Sequence, residues 1–280
     1  MKAHTIALMV LITAGSAVAG INTDKPLGPL NLYITTDGEG FIVNDGPEAF
    51  QFDGYSIASA GGLIRNGDWT TIPESVAAWQ LDPSDIGMTM MKAFQWATMA
   101  DTPDLIAEAH LSAVATLQPR GKIPLGAAFP GASATDLTFT YVNAADGGSY
   151  EPHLFGIRTD FPCPSVGAVT LPSSLVWDVT AEPTFTINTV VDGDTEGYWV
   201  DWQIIELPGV QPSLFPSSLW PSYDWADLQA AGAVPGDYTV SLDLETLRND
   251  ATLTTTLTIV PEPTSLSLLA LGALALRRRR

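Results

Sequence analysis

Cysteine, histidine and positive charge are all scarce in this chain. Cys163 is the sole cysteine, so no intrachain disulfide can form even in an oxidising compartment. It stands in Phe161-Pro162-Cys163-Pro164, whose prolines point to an extended loop, and a thiol so placed reads as buried and inert. Of the three histidines, His4 lies among the first residues and only His110 and His153 remain for the body of the chain. There is no Gly-x-Ser-x-Gly elbow and no His-Glu-x-x-His helix, so serine-hydrolase and zinc-protease signatures are missing and no catalytic residue is assigned. A glycosidase-type carboxylate pair stays open, because acids abound and their pairing is invisible in a sequence. Basic residues number 12 against 31 acidic ones. Five of the twelve, Lys2 and Arg277–Arg280, sit at the two ends; the seven left give the rest of the chain a net charge of about −24. Such a field argues against nucleic acid or anionic lipid as a partner and favours solubility or counter-cation association. Charged residues are 15% of the chain and apolar ones 46%, the balance of a core-forming sequence rather than a disordered acidic tail.

The ends are the most informative segments. Lys2 is followed by an apolar run from Ile6 to Ile12 and then by small residues ending Ala17-Val18-Ala19 before Gly20. That order is a secretory signal with an A-x-A site, Ala17 and Ala19 being the residues signal peptidase would read; a buried N-terminal helix is the alternative. At the other end, Val260-Pro261-Glu262-Pro263 leads into an apolar stretch from Leu266 to Leu276 and then Arg277, Arg278, Arg279 and Arg280. Four arginines after an apolar segment should stay on the cytoplasmic side, with everything before Pro261 outside. From Thr264 to Leu276 a helix would reach about 20 Å, short of the roughly 30 Å hydrocarbon core, so anchoring needs snorkelling or local thinning. Pro261, Glu262 and Pro263, a short apolar helix and Arg277–Arg280 in that order resemble the PEP-CTERM sorting signal. The resemblance implies that an exosortase, a membrane protease-transpeptidase, cuts near the Pro-Glu-Pro and releases or transfers the protein, much as a GPI signal loses its hydrophobic tail. An ordinary short C-terminal anchor is the other reading.

Between the ends lie about 240 residues, enough for one large or two ordinary domains. They read as short strands separated by Gly, Pro, Asn and Asp, the pattern of β-sandwiches. Leu30–Ile34, a turn at Asp37–Gly40, Phe41–Val43, and Phe50–Phe52 and Tyr55–Ile57 around Asp53-Gly54 open the series, the last a hairpin signal or a sharp bend. Phe41-Ile42-Val43-Asn44, the run Phe52–Ser59, Gly62-Leu63 and Trp69 resemble an N-terminal sandwich module of secreted PEP-CTERM proteins that is itself similar to lamin-tail domains. The likeness continues through Leu117–Gly121, Leu125–Phe129 and Asp136–Tyr141. Thr102-Pro103-Asp104 followed by Leu105, Ile106, Ala109 and Ala113 reads locally as a capped helix, whereas the family pattern makes Leu111–Leu117 a strand. A short helix or coil to about His110, with a strand after it, is the expectation. Asn143–Ser149, small and polar with adjacent glycines, is the expected linker. Beyond it Leu175–Trp177, Thr184–Ile187, Tyr198–Ile205, Asp237–Leu244 and Thr252–Val260 read as strands. Gly236–Leu242 resembles the penultimate strand of an immunoglobulin-like or PKD-type domain, with Tyr238 where a tyrosine corner would fall and Val240 where antibody domains carry cysteine.

The expected fold is therefore all-β: a signal peptide at 1–19, an N-terminal β-sandwich at 20–142, a linker at 143–150, an Ig-like sandwich at 151–260 and a sorting signal at 261–280, with an N-terminal signal helix and a C-terminal short transmembrane helix added. Two further features carry candidate chemistry. Trp220, Tyr223 and Trp225 concentrate aromatic rings in a Pro/Ser-rich loop, where they would stack on sugar or dock a partner, or else pack over an open sandwich end. Asp192, Asp194 and Glu196 alternate around Gly193 and Gly197 as the start of an EF-hand loop does, so calcium is the one cofactor suggested; position twelve, however, is Gln203, and a plain hairpin turn is the alternative. Asp37, Glu39 and Asp45 form a second acidic loop. The expected function is that of an exported non-catalytic cell-surface or extracellular-matrix protein sorted by an exosortase-type system, meeting the membrane only through its tail. The alternatives are a carbohydrate-binding or calcium-assisted adhesin with extracellular polysaccharide as partner, and, with least support, a secreted hydrolase using carboxylates.

Overall fold

The computed structural model describes residues 28–143, 148–151, 156–210, 212 and 218–260. The segments expected to be signal helix and membrane helix lie outside them, and among the described residues no helix is long and apolar enough to cross a membrane. The chain divides between Phe161 and Pro162 into two units, both built of strands.

The first unit contains β1 (Leu30–Thr35), β2 (Gly40–Asn44), β3 (Phe50–Phe52), β4 (Gly54–Ser59), α1 (Ile72–Ala77), α2 (Met90–Ala93), β5 (Trp96–Thr102), β6 (Leu105–His110), β7 (Ala115–Leu117), β8 (Lys122–Pro124), β9 (Leu137–Asn143), β10 (Gly148–Tyr150) and β11 (Ile157–Phe161). One sheet has the order β11-β1-β2-β8, a second β10-β9-β4-β6-β5, and β3 pairs with β7. Leu30, Leu32 and Ile34 of β1 and Ile57, Ile106 and Phe139 of the second sheet share one buried core, so the two sheets form a sandwich whose alternate residues interdigitate. The turn between β1 and β2 demands glycine: Gly38 has φ +87°, and a Cβ there would stand 2.8 Å from the Pro130 backbone. Asp53 proves to be a bend rather than a hairpin turn. It carries the chain from β3, which pairs with β7, to β4, which pairs with β6 and β9.

Two local expectations are corrected here. Thr102–His110 is not helical: Pro103-Asp104 is a two-residue turn, Thr102 Oγ1 closes it by accepting the Leu105 N–H at 3.1 Å, and β6 follows at once. A Thr-Pro-Asp start serves a turn as well as a helix cap, and what decides is burial, because Ile106, Glu108 and His110 alternate inward with period two. The described residues of the expected linker, Asn143 and Gly148–Tyr150, are strand. Asn143 ends β9, and Gly148–Tyr150 returns antiparallel beside it, with Tyr150 stacked on Tyr141 at 5.5 Å. The first unit goes on to β11, which lies parallel to β1 (Leu32↔Ile157) and sets Phe161 edge-on to Tyr33 at 4.8 Å. Burial of those rings holds the chain in the first unit as far as Phe161.

The second unit contains β12 (Val169–Thr170), β13 (Ser174–Asp178), β14 (Thr184–Thr186), β15 (Val190–Val191), β16 (Trp199–Ile204), β17 (Ser222–Asp224), α3 (Trp225–Ala230), β18 (Gly236–Glu245) and β19 (Asp250–Val260). Its main sheet has the order β13-β19-β18-β16, with β19 parallel to β13 and antiparallel to β18; β14 pairs with β17 and β12 with β15. The sequence β16, β18, β19 corresponds to strands C, F and G of an immunoglobulin sandwich. Trp202 on β16 is buried, as the strand-C tryptophan of such domains is, and Val240 on β18 is wholly buried where antibody domains carry cysteine. Tyr238 forms the corner: its Oη donates to the Val234 carbonyl at 2.6 Å and accepts from the Val234 N–H at 2.8 Å. Pro162–Ser165, around Cys163, is extended loop.

Candidate functional site

Of the three aromatic candidates in the second unit, two are buried and one is partly exposed. Tyr223 is 1% exposed, set opposite Phe185 in the β14–β17 pair. Its hydroxyl is buried with no hydrogen-bond partner among the described residues, and burial, with the charge of Asp201 adding, raises its pKa well above the ordinary range. Trp225 is buried too and meets Trp177 edge-on at 5.9 Å; Asp224 caps α3 by accepting the Ala226 N–H at 2.8 Å. Trp220 alone stays partly exposed, at 39%, and its Nε1–H is committed to the Thr189 carbonyl at 3.0 Å. Tyr223 and Trp225 belong to the buried core of the unit.

The acidic turns are the second candidate ligand set. Asp192, Asp194 and Glu196 are exposed, and among the described residues no three His, Cys, Asp or Glu side chains converge as metal ligands. In the other acidic loop Asp45 is bound into the fold, its Oδ2 accepting from Asn31 Nδ2 at 2.6 Å and from Tyr33 Oη at 2.7 Å. Asp37 accepts from the Thr35 hydroxyl.

The structure draws attention instead to two polar side chains of β6. Glu108 is 1% exposed. Its Oε2 accepts from Tyr55 Oη at 2.6 Å, and the Ile72 N–H at the start of α1 lies 3.0 and 3.2 Å from its two oxygens. Burial pushes its pKa up to about 7 against the pull of the Tyr55 hydroxyl and the Ile72 amide, and the charge of Glu74 pushes the same way. Burial first, then the neighbouring Glu108, raises Tyr55 far above the ordinary tyrosine value. The Trp69 indole N–H is buried here with no partner within hydrogen-bond geometry among the described residues, and its donor still pulls the Tyr55 value down against those two effects. Two residues on, His110 places Nε2 2.9 Å from the Lys92 carbonyl at α2, while Nδ1 accepts the Ala113 and Ser112 N–H groups at 2.8 and 3.2 Å. The ring proton therefore sits on Nε2. Glu108 and His110 thus pin the starts and ends of the helical excursion between β4 and β5. On that excursion Trp79 and Met91 stand 81% and 76% exposed. Nothing in the linear pattern singles out these residues beyond one acid and one histidine inside a short apolar run. An open depression is lined by Asp68, Trp69, Glu74 and Gln80, and Glu74 is engaged in a capping box, its Oε2 accepting the Thr71 N–H and hydroxyl at 2.9 Å each.

The site with the plainest meaning is where β19 stops. A PEP-CTERM protein-sorting motif matches residues 260–280, starting on the last residue of that strand. Pro261–Pro263 and Arg277–Arg280, as well as Ala17 and Ala19, lie outside the described residues. Comparison with curated proteins gives no match. Among solved structures, the chain is similar to a chimeric titin Z1Z2 functionalized with an exogenous KLER peptide from decorin, at 12% identity over 84% of this chain and 95% of that one, with a TM-score of 0.26. It is also similar to the titin Ig tandem domains A164-A165, at 10% identity over 87% and 97%, TM-score 0.25. Extracellular domains 3–5 of Drosophila OTK align at 9% identity over 84% and 67%, TM-score 0.22. At such scores the overlays carry no weight beside the strand order and the Tyr238 corner. The chain is thus an all-β protein with an Ig-like second unit and a PEP-CTERM tail, and the motif implies an exported protein handled by an exosortase-type system.

Proposed function

We propose that this is a non-catalytic cell-surface or extracellular-matrix protein, two β-sandwich units delivered outside the cell by successive processing of its two ends. Signal peptidase removes Met1–Ala19. The segment from Thr264 to Arg280 then halts in the membrane, and an exosortase-type enzyme breaks a peptide bond near Pro261–Pro263, passing the acyl carbon to water or to an acceptor amine while the tail leaves as a new amine. The observation that carries this reading is the sorting motif joined directly to the last strand of a folded unit. Its support as a structural rather than catalytic protein is that the aromatic and acidic clusters of the second unit are spent on packing and turns. A carbohydrate-binding role would have to rest on Trp220 alone within that aromatic loop.

Intact-mass measurement on protein from the native host tests this. The mature chain should lack both Met1–Ala19 and the residues after the Pro-Glu-Pro; a mass that still contains Arg277–Arg280 would make the tail a retained anchor.

A further inference from the structure

β19 and the sorting motif share Val260. Thr256–Ile259 are paired on both edges and Val260 on one: the strand runs in parallel with β13 from Ser174↔Thr256 to Asp178↔Val260, and beside β18 as far as Gly236↔Ile259. Leu257 and Ile259 are buried, and Thr258 Oγ1 donates to Asp237 at 2.7 Å. Pro261 has no N–H and cannot extend the ladder. Between Val260 and Thr264 stand only Pro261, Glu262 and Pro263, which reach at most about 11 Å. A folded unit is therefore tethered hard against the membrane surface, with no slack between it and the bond to be cut.

An enzyme that holds a polypeptide in an extended conformation takes hold of its main-chain N–H and C=O groups. Through Ile259 those groups lie between β13 and β18, and Val260 is still paired with β13. We propose that the folded second unit gates its own tail processing: it withholds every residue through Val260 from the processing enzyme, so that a fully folded chain loses its tail slowly and a chain whose β19 has not yet docked loses it fast. The inference rests on the exosortase reading above and adds to it the state of the substrate, a chain with its last strand free.

Eight Gly/Ser residues inserted between Val260 and Pro261 would supply slack without entering the fold. In the native host, pulse-chase labelling with intact-mass readout should show the tail leaving this variant at least about five-fold faster than the wild type, since no local opening of the strand end is then required. Ile259→Ala, which loosens the end of β19 and leaves the motif intact, should also accelerate the loss, by less. Tail loss at one common rate in all three proteins would overturn the gate and leave the sorting reading standing. Retention of Arg277–Arg280 in all three would remove the sorting reading, and the gate with it.

Discussion

Replacing Glu108 by glutamine should abolish one component of the pH dependence of the first unit. In the fold the carboxyl titrates at about 7, against an ordinary value of 4.5. The folded state then binds this proton more tightly than the unfolded one, so the contribution is fully present below about pH 4.5, is lost as pH rises through 7, and is flat above. A difference of that size corresponds to about 3 kcal/mol in all, most of which falls between pH 5 and pH 8. Glutamine keeps an acceptor for the Ile72 N–H and cannot ionise, so Glu108→Gln should gain on the wild type by that amount across the interval. Native-state hydrogen exchange of the slowest amides in β4 and β6, corrected for intrinsic rates, reads the stability of this unit separately from the other. Taking the difference between the two proteins at each pH cancels the remaining carboxylates. Parallel profiles from pH 5 to 8 would refute the reasoning, because they would mean that Glu108 is solvated or already paired in the fold.

Two tyrosines of the second unit should respond in opposite senses to loss of the same oxygen. Tyr238→Phe forfeits both corner bonds to Val234 and leaves them unpaired, a loss of about 1 to 2 kcal/mol in urea unfolding; Tyr223→Phe removes a buried hydroxyl without a partner and should be neutral or stabilising by up to about 1 kcal/mol. Trp225→Ala should destabilise the unit by about 3 to 5 kcal/mol, as removal of a core ring does, and a loss below about 1 kcal/mol would return the ring to the surface. Gly38→Ala should lower the melting temperature of the first unit, since its φ of +87° and the nearby Pro130 backbone both oppose a Cβ; an unchanged melt would mean the turn can rearrange.

How far the sequence reveals this molecule depends on how local the deciding interaction is. The strands of the second unit alternate cleanly, so β13, β16, β18 and β19 are visible as patterns, and Tyr238 is legible because a corner bonds only four residues back. Both sorting segments are contiguous and linear. Pairings between distant segments leave no such trace. Gly148–Tyr150 looks like a linker until β9 is beside it, and Ile157–Phe161 gains its meaning from β1. The segment Thr102–His110 carries helix and strand signals together, and the core decides between them. Trp225 and Tyr223 sit among Pro and Ser, composition that suggests a surface loop, yet both belong to the buried core of the unit. Glu108 is least predictable of all, since a lone acid in a strand gives no hint that a helix start will be brought to it.

The parallel pairings also order events in time. β1 is completed by β11, its partner arriving about 125 positions later, and β13 by β19, about 80 positions later. A chain threaded outward from its N-terminus must keep each opening strand waiting, β1 paired on its β2 side alone and β13 on neither, until the closing one has emerged. For the second unit the closing strand is the last stretch to emerge before the apolar tail arrives in the bilayer. On the proposed reading, completion of the sheet and arrest of the chain fall within the same few residues of export, and a delay at that point would leave β13 without its ladder partner.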